Sequence, residues 1–259
     1  ATEALRAVLK GEVTNAYSLS RPPGHHCTAD TPQGFCLLSN IAIAVEAALA
    51  EGRARRIAVV DWDVHHGNGT EAIFYNRPEV LTVSLHQEHN FPLQTGDVAD
   101  RGVGTGIGAN LNLPLPPGTG HRGYLEAWDR LVAPALDAFR PDALVIACGF
   151  DASLFDPLAR MLATAETFGA LTARARAAAE RLCGGRLLLV HEGGYSEAYV
   201  PFCGHAALEA LSDAPAALRA PDPVAATAHA RQPTERYDAF LSDWLSALET
   251  ALETGPQPG

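Results

Sequence analysis

The sequence has no basic excess, no paired cysteines and no long apolar run, and each absence removes a class of function. It carries 19 lysines and arginines against 30 aspartates and glutamates, for a formal net charge of −11. A chain that grips nucleic acid or an anionic membrane needs a basic face, so neither is an expected partner, while a cationic substrate stays open. The five cysteines, Cys27, Cys36, Cys148, Cys183 and Cys203, are scattered, odd in number and form no C-x-x-C pair. That argues against a disulfide framework and a cysteine zinc knuckle, and for a reducing, cytoplasmic setting. No apolar stretch approaches the ~18 residues of a transmembrane helix. No internal repeat occurs. The chain starts at Ala1 rather than Met, directly in a helical pattern. The expectation is that an N-terminal segment is missing, which leaves the lack of a signal peptide uninformative.

What is present, in 259 residues of ordinary globular composition, is a set of apolar runs that end abruptly in polar groups. Ile57-Ala58-Val59-Val60 leads into Asp61-Trp62-Asp63-Val64-His65-His66-Gly67-Asn68-Gly69. Ala143 to Cys148 leads into Gly149-Phe150-Asp151, and Leu187 to Val190 into His191-Glu192-Gly193-Gly194-Tyr195. These read as buried strands, with Val80 to Leu85 another and shorter ones at Ala16–Leu19 and Leu111–Leu115. Helical patterns cover Ala1–Gly11, Ile41–Leu49 with Ser39 or Asn40 as the cap, a short piece after Gly69, His121–Phe139, Ala163–Leu182 and Glu235–Leu252. Alternating strands and helices predict an α/β fold with a mainly parallel sheet. Gln87 to Gly108, rich in glycine and without a period, reads as a long functional loop. The expected organisation is a catalytic unit over 1–212, an Ala/Pro-rich linker or surface excursion over 213–233, a peripheral helix over 234–253 and a tail over 254–259.

Asp63 and His65 lie two residues apart, so on an extended backbone they point to one side while Trp62 and Val64 point away. With Asp151 from another strand end they form an oxygen/nitrogen set without thiolate. That is the open arrangement of a catalytic zinc, and iron(II) or cobalt(II) fits it too. A plain capping role for Asp151 is the alternative. Arg21-Pro22-Pro23-Gly24 is a rigid loop that presents His25 and His26, which can supply a base and an acid. Tyr195 behind two glycines can donate to an oxyanion, and Asp61 and Asn68 can orient the imidazoles. An Asn partner carries no charge to favour imidazolium, so the histidine it holds should stay a neutral base.

The segments Arg21 to His26, Asp61 to Thr70, Gly149 to Ala152 and Glu192 to Tyr195, in this order, closely resemble the histone deacetylase family. The resemblance is to its bacterial class II histone-deacetylase-like amidohydrolases in particular, and covers about Asn15 to Leu211. It implies a single-domain arginase-deacetylase fold, with helices on both faces of the sheet and zinc held by Asp63, His65 and Asp151. It implies that His26 is the general base and acid, His25 its electrostatic assistant and Tyr195 the oxyanion donor, with Asp61 holding His25 and Asn68 holding His26. The implied acyl-lysine tunnel is walled by Phe35 and Phe91, has Leu158 at its rim, and uses the Gly34 carbonyl to receive the substrate amide. A structural potassium ion is implied at Asp61, Asp63, His65, Ser84 and Leu85.

Departures from relatives narrow the reading. Gly67 and Ser153 stand where arginases carry the aspartates of a binuclear manganese site, and Tyr195 stands where class IIa vertebrate deacetylases carry His. Leu158 stands where acetylpolyamine-preferring relatives carry Glu, which favours an uncharged rim. The expectation is a zinc-dependent amidohydrolase acting on N6-acetyl-lysine in a peptide or protein, or on a similar small acylated amine. An acetylpolyamine deacetylase and a non-catalytic acyl-ligand binding module are the alternatives, and a homo-oligomer is left open.

Overall fold

In the computed structural model, which describes residues 1–212 and 221–255, the apolar runs form one parallel sheet. Its strands are β1 (Asn15–Ser18), β2 (Ile57–Asp61), β3 (Val80–Gln87), β4 (Asn110–Leu115), β5 (Ala143–Cys148) and β6 (Leu187–His191), in the order β1-β6-β5-β2-β3-β4. Every neighbouring pair is parallel. Alternate residues of the central strands serve two cores. Ala58, Val60, Leu144, Ile146, Leu187 and Leu189 face one, while Ile57, Val59, Ala143, Val145, Leu188 and Val190 face the other. A fully buried aliphatic side chain contributes ~1.5–3 kcal/mol, so a one-residue slip of such a strand, which exchanges its faces, is strongly disfavoured.

Helices cover both faces. Leu5 of α1 (Thr2–Lys10), Ile41 and Val45 of α2 (Asn40–Ala50) and Phe74 of α3 (Asn68–Phe74) close the smaller core. The larger core takes Tyr124 of α4 (His121–Ala127), Leu136 of α5 (Ala133–Phe139), and Phe168 and Leu171 of α6 (Ala165–Cys183). Cys203 of α7 (Val200–Ser212) joins it, and Leu245 of α9 (Glu235–Thr254) closes the far side. Strand order reverses between β2 and β5: β3 and β4 extend the sheet on one side of β2, β5 and β6 on the other. The carboxyl edge at such a switch point is where α/β sheets form a crevice.

Local differences from the sequence reading have physical causes. The helix expected over His121–Phe139 contains a π turn at Trp128–Val132 between α4 and α5. Pro134 follows it, and a residue without an N–H cannot continue the regular ladder. Neither Ser39 nor Asn40 caps α2 through its side chain. Ser39 Oγ is buried without a hydrogen-bond partner among the described residues, and the Asn40 amide donates instead to the Pro22 carbonyl at 2.8 Å, tying the proline loop to the helix. Helix α6 begins two residues later than expected, behind a reciprocal Thr164–Thr167 cap. Of the span read as a linker, 213–220 lies outside the described residues. The part after it holds α8 (Ala225–Ala230) and Gln232, whose amide accepts from His121 N–H at 2.8 Å and donates to the Leu162 carbonyl at 2.9 Å. No described helix is long and apolar enough to cross a membrane.

Candidate active site

β2 ends at Asp61, yet the alternation runs on: Trp62 and Val64 sink into the larger core while Asp63 and His65 face the crevice. Asp63, His65 and Asp151 bring their ligand atoms within 4.8 Å of one another, all buried. His65 Nδ1 lies 3.1 Å from Asp63 Oδ1 and 3.0 Å from Asp151 Oδ2. Backbone donors aim both carboxylates. His65 N–H donates to Asp63 Oδ1 at 2.9 Å, Gly193 N–H to Asp63 Oδ2 at 2.8 Å and Val64 N–H to Asp151 Oδ1 at 2.8 Å. Gly149 and Gly193 allow this approach, because a Cβ at either position would collide with the Asp63 or Asp151 carboxylate.

The crowded anions set the electrostatics. Burial and the neighbouring Asp63 charge push Asp151 up to about 7. Two carboxylates packed this closely beside an imidazole, with no thiolate, are the donor set of a divalent cation, which removes the like-charge cost. The fit to a metal is therefore good on chemistry as well as distance.

His25 and His26 stack with ring centroids 4.0 Å apart but stand in opposite fields. His25 Nδ1 is 2.9 Å from Asp61 Oδ2, and its Nε2 is 3.7 Å from Asp63 Oδ1. Burial opposes charge on His25, but Asp63 and Asp61 outweigh it and hold its pKa well above the usual imidazole range. His26 Nδ1 meets the neutral Asn68 Oδ1 at 2.8 Å, and burial together with the His25 charge pushes it down to about 3. The Asn68 amide donates to Gln33 Oε1 at 2.9 Å. That bond turns the Asn68 oxygen toward His26, so Nδ1 carries the proton and Nε2 the free lone pair. Burial and the Asp63 and Asp151 charges raise Tyr195 far above the usual phenol range, so it stays a donor.

His26, His65 and Tyr195 open into a cavity of about 470 Å³ walled by Gly34, Phe35, Phe91 and Leu158, with Asn90 beside them. Gln33 and Cys36 exchange backbone hydrogen bonds at 3.1 and 2.8 Å around Gly34 (φ 53°) and Phe35 (φ 64°). This positive-φ turn is costly for a phenylalanine, by ~1–2 kcal/mol, and it holds that ring out at the mouth, 70% exposed. The Gly34 carbonyl accepts a weak bond from Cys36 Sγ at 3.4 Å. Phe91 meets His26 edge-on at 5.1 Å. Ser84 is the register partner of Asp61, and buried Leu85 follows it on β3.

Two carboxylates with no role assigned from the sequence hold the segments around the cavity in place. Glu192 Oε2 accepts Gly24 N–H at 2.7 Å and His25 N–H at 3.0 Å, clamping the histidine loop to the end of β6. Asp156 accepts Tyr195 N–H at 2.7 Å and Leu158 N–H at 2.9 Å, linking the phenol's backbone to the rim. Glu192 belongs to the Glu192–Tyr195 segment, but nothing in that segment marks the backbone contacts it makes.

The chain is similar to several known proteins. A family model described as the histone deacetylase domain matches residues 1–211. A histone deacetylase-like amidohydrolase of Pseudomonas aeruginosa is 54% identical over 248 residues, covering 96% of this chain and 65% of that protein. Histone deacetylase 8 of Arabidopsis thaliana is 42% identical over 240 residues, 91% of this chain and 60% of the relative. The crystal structure of an acetylpolyamine aminohydrolase from Burkholderia pseudomallei superposes with a TM-score of 0.74 at 39% identity, covering 81% of this chain and 59% of the other. The chain thus spans less than two thirds of each of these proteins.

Proposed function

This chain belongs to the histone deacetylase domain family, and we propose that the protein is a zinc-dependent amidohydrolase that removes acetyl or a related short acyl group from an amine, with N6-acetyl-lysine in a peptide or protein as the best-fitting substrate. The observation that carries this reading is convergence: His65 of the three-ligand cluster, His26 and Tyr195 all line one cavity with aromatic walls. Asp63, His65 and Asp151 would hold the zinc, which would supply a Lewis acid for an amide carbonyl and lower the pKa of a bound water toward ~7. His26 Nε2 accepts a proton from the attacking water and returns it to the leaving amine. His25, held charged between Asp61 and Asp63, favours the negative charge that develops beside it. The Tyr195 hydroxyl donates to the carbonyl oxygen as that charge grows.

Phe35 and Phe91 bracket a slender aliphatic stem, and the Gly34 carbonyl receives the amide N–H. Potassium is the second proposed ion, at Asp61, Asp63, His65, Ser84 and Leu85. The pairing of Asp61 with Ser84 across β2 and β3 supports it, because it brings these two residues into register on neighbouring strands.

An acetylpolyamine is the second reading, and the name of the Burkholderia pseudomallei relative favours it. The cavity argues for acyl-lysine instead: none of its lining residues is acidic, and Asp156 beneath the rim spends both oxygens on backbone N–H groups. The test is hydrolysis of an acetyl-lysine peptide and of acetylputrescine by full-length protein, before and after chelation and with zinc restored. Turnover of the peptide that vanishes and returns with the metal supports the reading. Folded, zinc-loaded protein that binds the peptide and hydrolyses neither substrate would be a binding module.

A further inference from the structure

The tunnel wall Phe91 stands on a loop between two cavities. In front is the substrate cavity of about 470 Å³, and behind, between this loop and α9, lies another of about 620 Å³ bordered by Asn90, Phe91, Thr95, Trp244 and Leu248. Phe91 borders both, and its ring meets His26 and His65 edge-on at 5.1 and 6.3 Å, so its place depends also on the backbone that carries it. The residue is 41% exposed.

The loop's base is anchored to the core through polar contacts. His86 Nε2 lies 3.0 Å from the Gly96 carbonyl, and the Asn112 amide donates to the Asp97 carbonyl at 3.2 Å. Gly96, with φ +79°, packs so closely on both imidazoles that a Cβ would lie 2.5 Å from His86 Nε2 and 2.9 Å from His66 Cγ. Thr95 extends the anchorage to the tip. Its hydroxyl donates to the Pro92 carbonyl at 2.8 Å, beside Phe91, and lies 2.9 Å from His66 Nδ1. Donation to the Pro92 carbonyl leaves the hydroxyl's lone pairs facing His66 Nδ1.

His66 is fixed in turn. Its Nε2 is 3.2 Å from Glu71 Oε2, an oxygen that also receives the amides of Asn110 and Asn112, each at 2.7 Å. Glu71 belongs to α3, whose first residue is Asn68, the partner of His26. One chain of contacts therefore runs from the base's partner helix to the tunnel wall.

We propose that Thr95 is a positioning residue for the tunnel: its hydroxyl, held between His66 and the Pro92 carbonyl, keeps Phe91 against His26 and out of the rear cavity. This rests on the reading of the front cavity as the seat of an acyl-amine stem. Phe91 would then act on binding of the stem, which is alike in ground and transition states, so its displacement raises KM rather than lowering kcat.

The experiment compares Thr95→Val, which keeps the shape without the hydroxyl, with Thr95→Ser, which keeps the hydroxyl, in full-length zinc-loaded protein. Thr95→Val should raise KM for an acetyl-lysine peptide about tenfold, the equivalent of ~55 Å² of lost apolar contact, with kcat and zinc content retained. Thr95→Ser should match wild type. Equal KM in wild type and Thr95→Val, or equal loss in both variants, overturns the inference. If wild type hydrolyses no acyl-lysine, the acyl-amine reading falls. The crystal structure of Thr95→Val still decides the positioning role, since a Phe91 ring left 5.1 Å from His26 refutes it.

Discussion

Replacing Asn68 by Asp tests the charge logic of the histidine pair. In wild type the His26 partner is a neutral amide oxygen 2.8 Å from Nδ1, and the ring is pushed down to about 3 by burial and by the charge on His25. A carboxylate at the same place puts a negative charge ~4 Å from the ring, worth ~4 kcal/mol at an effective dielectric of ~20. At ~1.4 kcal/mol per pKa unit, that raises His26 by up to ~3 units, to ~6. The Gln33 amide must also rotate, because its oxygen now accepts from Asn68 and would face the new carboxylate. A base works only while neutral, so a higher pKa moves the acid limb of activity upward. The assay is kcat/KM for an acetyl-lysine peptide against pH in full-length protein, with zinc content measured at every point. Asn68→Asp should match wild type at about pH 8 and fall roughly tenfold below it near pH 5. An acid limb that stays where it was, in zinc-loaded protein, means that His26 is not the base or that Asn68 does not set its proton affinity.

Tyr195→Phe removes only the proposed oxyanion donor, and should lower kcat ~10²–10³-fold at unchanged zinc content. Unchanged turnover would remove Tyr195 from the chemistry. Chelated protein should show a pH dependence of stability traceable to Asp151, whose carboxyl is raised to about 7 in the fold, against ~3.9 in an unfolded chain. Between these values the folded state holds the extra proton, so thermal stability should fall as pH rises from ~4 to ~7, and added zinc should abolish that decline. A flat profile for chelated protein, followed by melting in buffered steps, would contradict the crowding of Asp63 and Asp151. Asp151→Ala should lose zinc outright, as read by metal analysis of the folded variant.

The central strands were legible in the sequence because burial on both faces requires uninterrupted apolar runs, and such runs stop where the sheet edge meets the crevice. Ile57–Val60, Ala143–Cys148 and Leu187–Val190 each lie inside an observed strand. Helix α7 was not read. Pro201 and Gly204 interrupt its pattern, and it starts directly behind the Gly-Gly-Tyr segment, where turn-forming residues dominate. The absent cap on α2 shows the limit from another side. Ser39 has the right residue type in the right place, but capping depends on where the hydroxyl points, and here it is buried without a hydrogen-bond partner among the described residues.

At the site, legibility followed whether a residue's chemistry depends on its own side-chain type. The proposed roles of metal ligand, base and phenol donor each restrict the residue that can serve, so Asp63, His65, Asp151, His26 and Tyr195 stand out at strand ends and in a proline-rigid loop. Glu192 and Asp156 act on backbone N–H groups, which every residue but proline offers, so no partner motif marks them. Glu192 reaches across 168 positions to Gly24, and nothing at Gly24 announces the contact. The same holds for Thr95, whose partner at Pro92 is a carbonyl that any residue would present. A motif therefore displays the atoms that would touch substrate, while the residues that orient them emerge only when each buried backbone donor and acceptor is followed to its partner.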